Sequence, residues 1–208
     1  ALAHSEERGA ERWLMGSYFC RYLLADKSYL VNIGVFIGLA VILPVFLPPM
    51  IGDLAWAMGL AVLSFNTPLG ILLSGDRALA QSVRALPGQK KAFCLPYGIF
   101  VLSVNLLVTG IFCAVWVWQM GAPGGYAWLM VPVLAIQNAI GTVLLEWFCP
   151  LRHWKVKSDL WHHPRKYIMP TFLLMLAVLL ESYPWLLGIW SGILLAEGIL
   201  LLRWCAND

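Results

Sequence analysis

Between Ala92 and Leu145 the chain runs for 54 residues without one charged side chain. No soluble fold of ordinary composition tolerates such a stretch. A membrane-spanning helix needs about 20 largely apolar residues to cross roughly 30 Å of hydrocarbon. The stretch is therefore too long for one span and right for two, with Met120-Gly-Ala-Pro-Gly-Gly125 as the turn between them. The whole composition agrees: 61% of the 208 residues are hydrophobic and only 12% are charged, against about a quarter charged in soluble domains. A cytosolic enzyme, a disordered chain, a coiled coil and a basic nucleic-acid binder are excluded. The charged opening segment, Ala1 to Lys27, does not read as a signal peptide.

Ser28 to Gly52 and Leu54 to Gly75 are also free of charge, and Tyr167 to Leu202 is interrupted only by Glu181 and Glu197. With Pro184 near its middle, that last stretch predicts a hairpin of two shorter helices. The expectation is an all-α integral membrane protein with about six transmembrane helices. Residues 1–28 form a cytoplasmic or interfacial segment, 29–203 the transmembrane domain with inside loops at 76–91 and 149–167, and 204–208 a tail. All 14 Lys and Arg residues fall before the first span, between the second and third, between the fourth and fifth, or after the sixth. Cytoplasmic loops collect these residues, so both ends are expected inside, most naturally in a bacterial plasma membrane. Trp and Tyr gather at the proposed borders, where amphipathic rings mark depth. From Ala10 to Leu24 a blurred apolar face carrying Leu14, Met15, Tyr18 and Tyr22 predicts an interfacial helix.

Polar residues inside the spans carry information because they need partners in lipid. Asn66, Asn105, Gln137 and Asn138 each fall about half-way along a span. Asn105, Thr109 and Cys113 repeat at i, i+4 and i+8, and Asn138, Thr142 and Glu146 do the same, so two helices carry a polar stripe. Such stripes serve either as interhelical glue or as the wall of a translocation path, with Asn66, Asn105 and Asn138 as its candidates. Glu181 and Glu197 fall towards the outer and inner borders, so no acid is expected at mid-depth; Glu181 is a further candidate for the path, as a gate or a substrate contact, or else a solvated turn residue. Gly34 and Gly38, and Gly188 and Gly192, give two GxxxG spacings suited to helix packing.

No phosphate loop, H-E-x-x-H or G-x-S-x-G motif is present, and no catalytic residue is assigned. The five cysteines form no C-x-x-C pair. Cys149, His153, His162 and His163 match no standard zinc spacing, so no metal site is expected. Asp159 with His162 and His163 is the thin remainder of an enzyme reading. Ser74 to Lys91 predicts a short amphipathic helix from Asp76 to Leu86. Asp76 stands at its N-terminal end, Leu79, Val83 and Leu86 form an apolar stripe, and Pro87-Gly88 stops it.

This layout resembles the ABC-2 type permeases, the membrane subunits of ABC exporters. The likeness is carried by the arrangement of spans and by Gly75-Asp-Arg-Ala-Leu-Ala-Gln-Ser-Val-Arg-Ala-Leu-Pro-Gly-Gln-Lys-Lys91. It implies that this segment is a coupling helix docking into a soluble P-loop ATPase subunit through Asp76, Arg77, Arg84 and Leu86. It implies a second permease chain as partner, no cofactor bound by this chain, and ATP with Mg supplied through the ATPase; no nucleic acid is involved. The chain departs from the family where many members carry a longer re-entrant region between the fifth and sixth spans. The competing readings are a stand-alone carrier or channel, a structural membrane subunit of a larger complex, and an intramembrane enzyme.

Overall fold

Three prolines, Pro44, Pro48 and Pro49, sit inside the first long helix without stopping it before Ile51. Its chain then reverses at Gly52, whose φ of 56° is open to glycine and strained for other residues. This is a computed structural model, and it describes residues 17–85, 89–151 and 163–206. Among these, all regular structure is helical. The helices are α1 (17–25), α2 (Lys27–Ile51), α3 (Ala55–Leu63), α4 (Thr67–Gly70), α5 (Leu72–Gly75), α6 (Arg77–Ala85), α7 (Gln89–Met120), α8 (Gly125–Phe148), α9 (Ile168–Ser182) and α10 (Leu186–Ala206), with 3-10 turns at Gly52–Leu54 and Pro164–Tyr167.

Among the described residues four helical stretches are long and apolar enough to cross a membrane: Lys27–Leu63, which includes the turn at Gly52, Lys90–Met120, Gly125–Phe148 and Leu186–Ala206. They mark an integral membrane protein. Apolar side chains such as Val31, Phe46, Leu107, Met175 and Leu195 are exposed along the bundle, as lipid-facing residues must be. The interior is organised around α8, which packs against α3, α7, α9 and α10, while α2 lies against α3 and α7. Because α8 is surrounded, its stripe of Asn138, Thr142 and Glu146 is buried throughout. The stripe of Asn105, Thr109 and Cys113 on α7 is buried as well.

Two apolar clusters hold the bundle. One joins Trp56, Phe112, Trp116 and Met130 with the inner faces of α9 and α10. Trp56, in the first turn of α3, is buried, and its indole N–H donates to the Ala127 carbonyl in the first turn of α8 at 3.0 Å. The other joins Phe19 and Leu23 of α1 with Leu72, Phe93 and Tyr97. Phe19 is wholly buried, its ring within 6 Å of those of Phe93, Tyr97 and Phe100. Helix α1 is thus docked into the bundle through Phe19 and Leu23, with Tyr18 and Tyr22 only partly covered.

The second apolar stretch, Leu54 to Gly75, is broken twice. Helix α3 ends at Leu63, residues 64–66 leave the helix, and Ile71 separates α4 from α5. Pro68 is the physical cause of the first break. It has no N–H to give the Ser64 carbonyl four residues earlier, its ring would clash with that carbonyl, and it disfavours the α conformation at Thr67.

Candidate functional site

The basic end of the bundle holds a buried polar knot. Glu146, near the C-terminal end of α8, is fully buried. Its Oε2 accepts from the Ser74 backbone N–H at 2.6 Å and its Oε1 from the Ser74 hydroxyl at 2.9 Å. Arg165, from the 3-10 turn before α9, completes the pair with an ion pair to Oε1. The same guanidinium reaches Ser74 Oγ at 3.2 Å, and the Leu151 N–H donates to that oxygen at 3.0 Å. Tyr97 closes the knot from α7 by donating to the Leu69 carbonyl. A buried charge is costly unless it is paired and hydrogen-bonded, and here the carboxylate has three donors, two from Ser74 and one from Arg165.

Helix α6 is anchored at both ends, to α1 at its start and to the end of α8 beside the knot at its other end. Asp76 caps it, its Oδ1 accepting from the Leu79 N–H at 3.0 Å, which satisfies one of the unpaired donors of a helix start. Its Oδ2 accepts from Tyr18 Oη of α1 at 2.5 Å. Burial first, then this bond and the carboxylate's charge, push the Tyr18 phenol well above the ordinary tyrosine value. At the other end, Arg84 Nη2 donates to the carbonyls of Glu146 and Trp147 at 3.1 and 2.9 Å, with its guanidinium 5.6 Å from the Trp147 ring centre. A cation on the last carbonyls of α8 also complements the helix dipole. Asp76 and Arg84 are therefore engaged within the chain, and the exposed face of α6 is Gln81, Ser82 and Ala85. Leu86 and the side chain of Arg77 lie outside the described residues, as do Asp159 and His162.

Where the second apolar stretch breaks, a cavity of about 30 Å³ opens between α3, α4, α8 and the start of α9, lined among others by Ser64, Asn66, Asn138, Thr142 and Arg165. Asn66 and Asn138, expected to share a path, meet here; Asn105 does not line it. Asn66 Oδ1 is buried without a hydrogen-bond partner among the described residues, and so is Asn105 Nδ2. Asn138 Nδ2 donates to the Ser64 carbonyl at 3.5 Å, and Thr142 Oγ1 to Asn138 Oδ1 at 3.4 Å.

Glu181 lies apart, at the opposite end, accepting from Tyr126 Oη at 3.1 Å. Glu197 is not near a border: its Oε2 accepts from Gln137 Nε2 at 3.0 Å midway along α8, while the Trp190 indole N–H donates to Gln137 Oε1 at 2.9 Å. The bounds of α10 agree, since Glu197 stands eleven residues after Leu186 and nine before Ala206; the expectation of a border position fails because the helix runs on past Leu202. Among the described residues nothing lies within 4 Å of the Cβ positions of Gly34, Gly38, Gly188 or Gly192, whereas Gly59 lies under the Phe112 ring and Gly141 under Met169. Close-packing glycines thus include Gly59 and Gly141, which no GxxxG spacing marks. Among the described residues no group of three or more His, Cys, Asp or Glu is placed to hold a metal ion. No family model, no curated protein and no solved structure matches the chain.

Proposed function

We propose that this chain is a permease subunit of an ATP-driven exporter, with six helices crossing a bacterial plasma membrane, both ends inside, and energy supplied by a separate P-loop ATPase. The observation that carries this reading is the anchoring of α6. A short amphipathic helix at the basic end is clamped to α1 through Asp76 and to the end of the central helix α8 through Arg84. A force applied to its exposed face, Gln81, Ser82 and Ala85, reaches α8 through rigid hydrogen bonds instead of being lost in a loose loop. That is what a coupling element between a soluble motor and a membrane bundle needs. In this reading α9, too short to qualify by length alone, crosses together with its preceding 3-10 turn, and the broken stretch α3 to α5 is the second span.

The test is purification from native membranes in mild detergent. A P-loop ATPase should remain bound in stoichiometric amounts and be released by Gln81→Asp with Ala85→Asp, substitutions that leave Arg84 and Asp76 in place. A chain that purifies alone, or only with other membrane subunits, would make the reading wrong.

A further inference from the structure

We infer that the cavity at the break between α3 and α4 is a binding site for a monovalent cation of sodium's size. The argument begins with an imbalance of donors and acceptors. The Ser64 hydroxyl is spent on the Leu60 carbonyl at 3.2 Å, the Thr142 hydroxyl on Asn138, and the Asn138 amide on the Ser64 carbonyl. Oxygens remain in excess: Asn66 Oδ1 is buried with no donor, and the Ser64 carbonyl and Asn138 Oδ1 hold theirs only at 3.4–3.5 Å, the outer limit of a useful hydrogen bond. Leaving such an acceptor unsatisfied costs about 1–3 kcal/mol, so the cavity favours an occupant that presents positive charge density to several neutral oxygens at once.

The backbone adds to this. Helix α3 runs nine residues and ends at the break, so the negative end of its dipole faces the cavity. Unwound carbonyls and the C-terminal ends of half-helices are the groups that coordinate small cations within membrane bundles. The basic residues on the wall do not oppose binding. Arg165 is neutralised by Glu146, and Lys166 turns its ammonium to the Tyr167 ring at 4.7 Å. With no carboxylate among the lining residues, a divalent ion lacks the charge that hard oxygen sites supply. The volume of about 30 Å³ is enough for a single small ion, since about 10–15 Å³ on this scale already holds a water molecule.

The site belongs to this chain alone and does not rest on the exporter reading, so it is tested without an ATPase. The purified full chain in detergent is melted in sodium chloride and in choline chloride at equal ionic strength, and binding of radioactive sodium ion to the immobilised protein is counted. Saturable binding and a melting temperature that rises with sodium but not with choline are expected. Both effects should disappear in Asn66→Leu, and also in Asn138→Leu, which removes the other side-chain oxygen in excess while keeping a similar volume should the first variant fold poorly. Identical melting in the two salts overturns the proposal, because it leaves the cavity to water. A sodium effect that survives in both variants also overturns it, by placing the ion elsewhere.

Discussion

Glu146 and Arg165 are buried charges whose worth depends on each other. Both side chains are more than nine-tenths covered, and Ser74 occupies the remaining lone pairs of the carboxylate. Removing one partner of such a pair strands the other and costs about 3–5 kcal/mol, whereas replacing both with apolar residues of similar volume is often neutral. Arg165→Ala is therefore expected to unfold the chain at markedly lower denaturant or temperature, and Glu146→Leu combined with Arg165→Met to recover most of the loss. If the double variant is as unstable as the single ones in a melting series, charge pairing is not what holds α9 to α8. The same residues show how far sequence reading reaches at this scale. The spacing of Asn138, Thr142 and Glu146 gives the face of α8 correctly. It cannot give Arg165 or Ser74 as partners, because they come from segments joined to α8 only through the fold.

At the scale of elements, the glycines separate two kinds of helix contact. A Cβ at Gly59 would meet the Phe112 ring, while among the described residues nothing lies within 4 Å of a Cβ at Gly34. Overpacking a filled contact costs about 1–3 kcal/mol, and replacing a free helical glycine with alanine gains up to about 1 kcal/mol in propensity. Gly59→Ala should lower the melting temperature of the purified chain, and Gly34→Ala should leave it equal or higher. The reverse order would mean that α3 and α7 are not packed as described. If Gly34 and Gly38 serve the GxxxG role, their partner is not among the described helices, none of which covers them. The breaks within the second apolar stretch were written in its sequence as Asn66-Thr67-Pro68 and Gly70. Hydrophobicity alone passes over them, since proline and glycine in a long apolar run do not interrupt the pattern by which spans are counted.

For the whole molecule, the distribution of Lys and Arg and the position of α6 make one prediction about sidedness. Cys20 on α1 and Cys149 after α8 are exposed, and Cys94, Cys113 and Cys205 are buried. In the proposed topology both exposed thiols face the cytoplasm. A membrane-impermeant maleimide should label them in inside-out vesicles and not in intact cells, while a cysteine placed at Ala122, in the turn between α7 and α8, should label only from outside. Labelling of Cys20 and Cys149 from opposite sides would require an odd number of crossings between them and would end the six-helix reading.

The sequence by itself determined that the chain is helical and membrane-embedded, because a charge-free run longer than one bilayer crossing leaves few other solutions. It also determined which faces of α7 and α8 carry polar groups and where α6 begins, because those depend on helical period and a local cap. Only the tertiary structure decided that Asn66 and Asn138 share a cavity without Asn105, and that Glu197 meets Gln137 at the middle of α8. It alone decided that Arg84 is engaged by the end of α8. The reason is physical. In an apolar medium a polar side chain is committed to whichever partner the packing of helices brings within reach, and that choice depends on helix rotation and offset, which the residues of one helix do not encode.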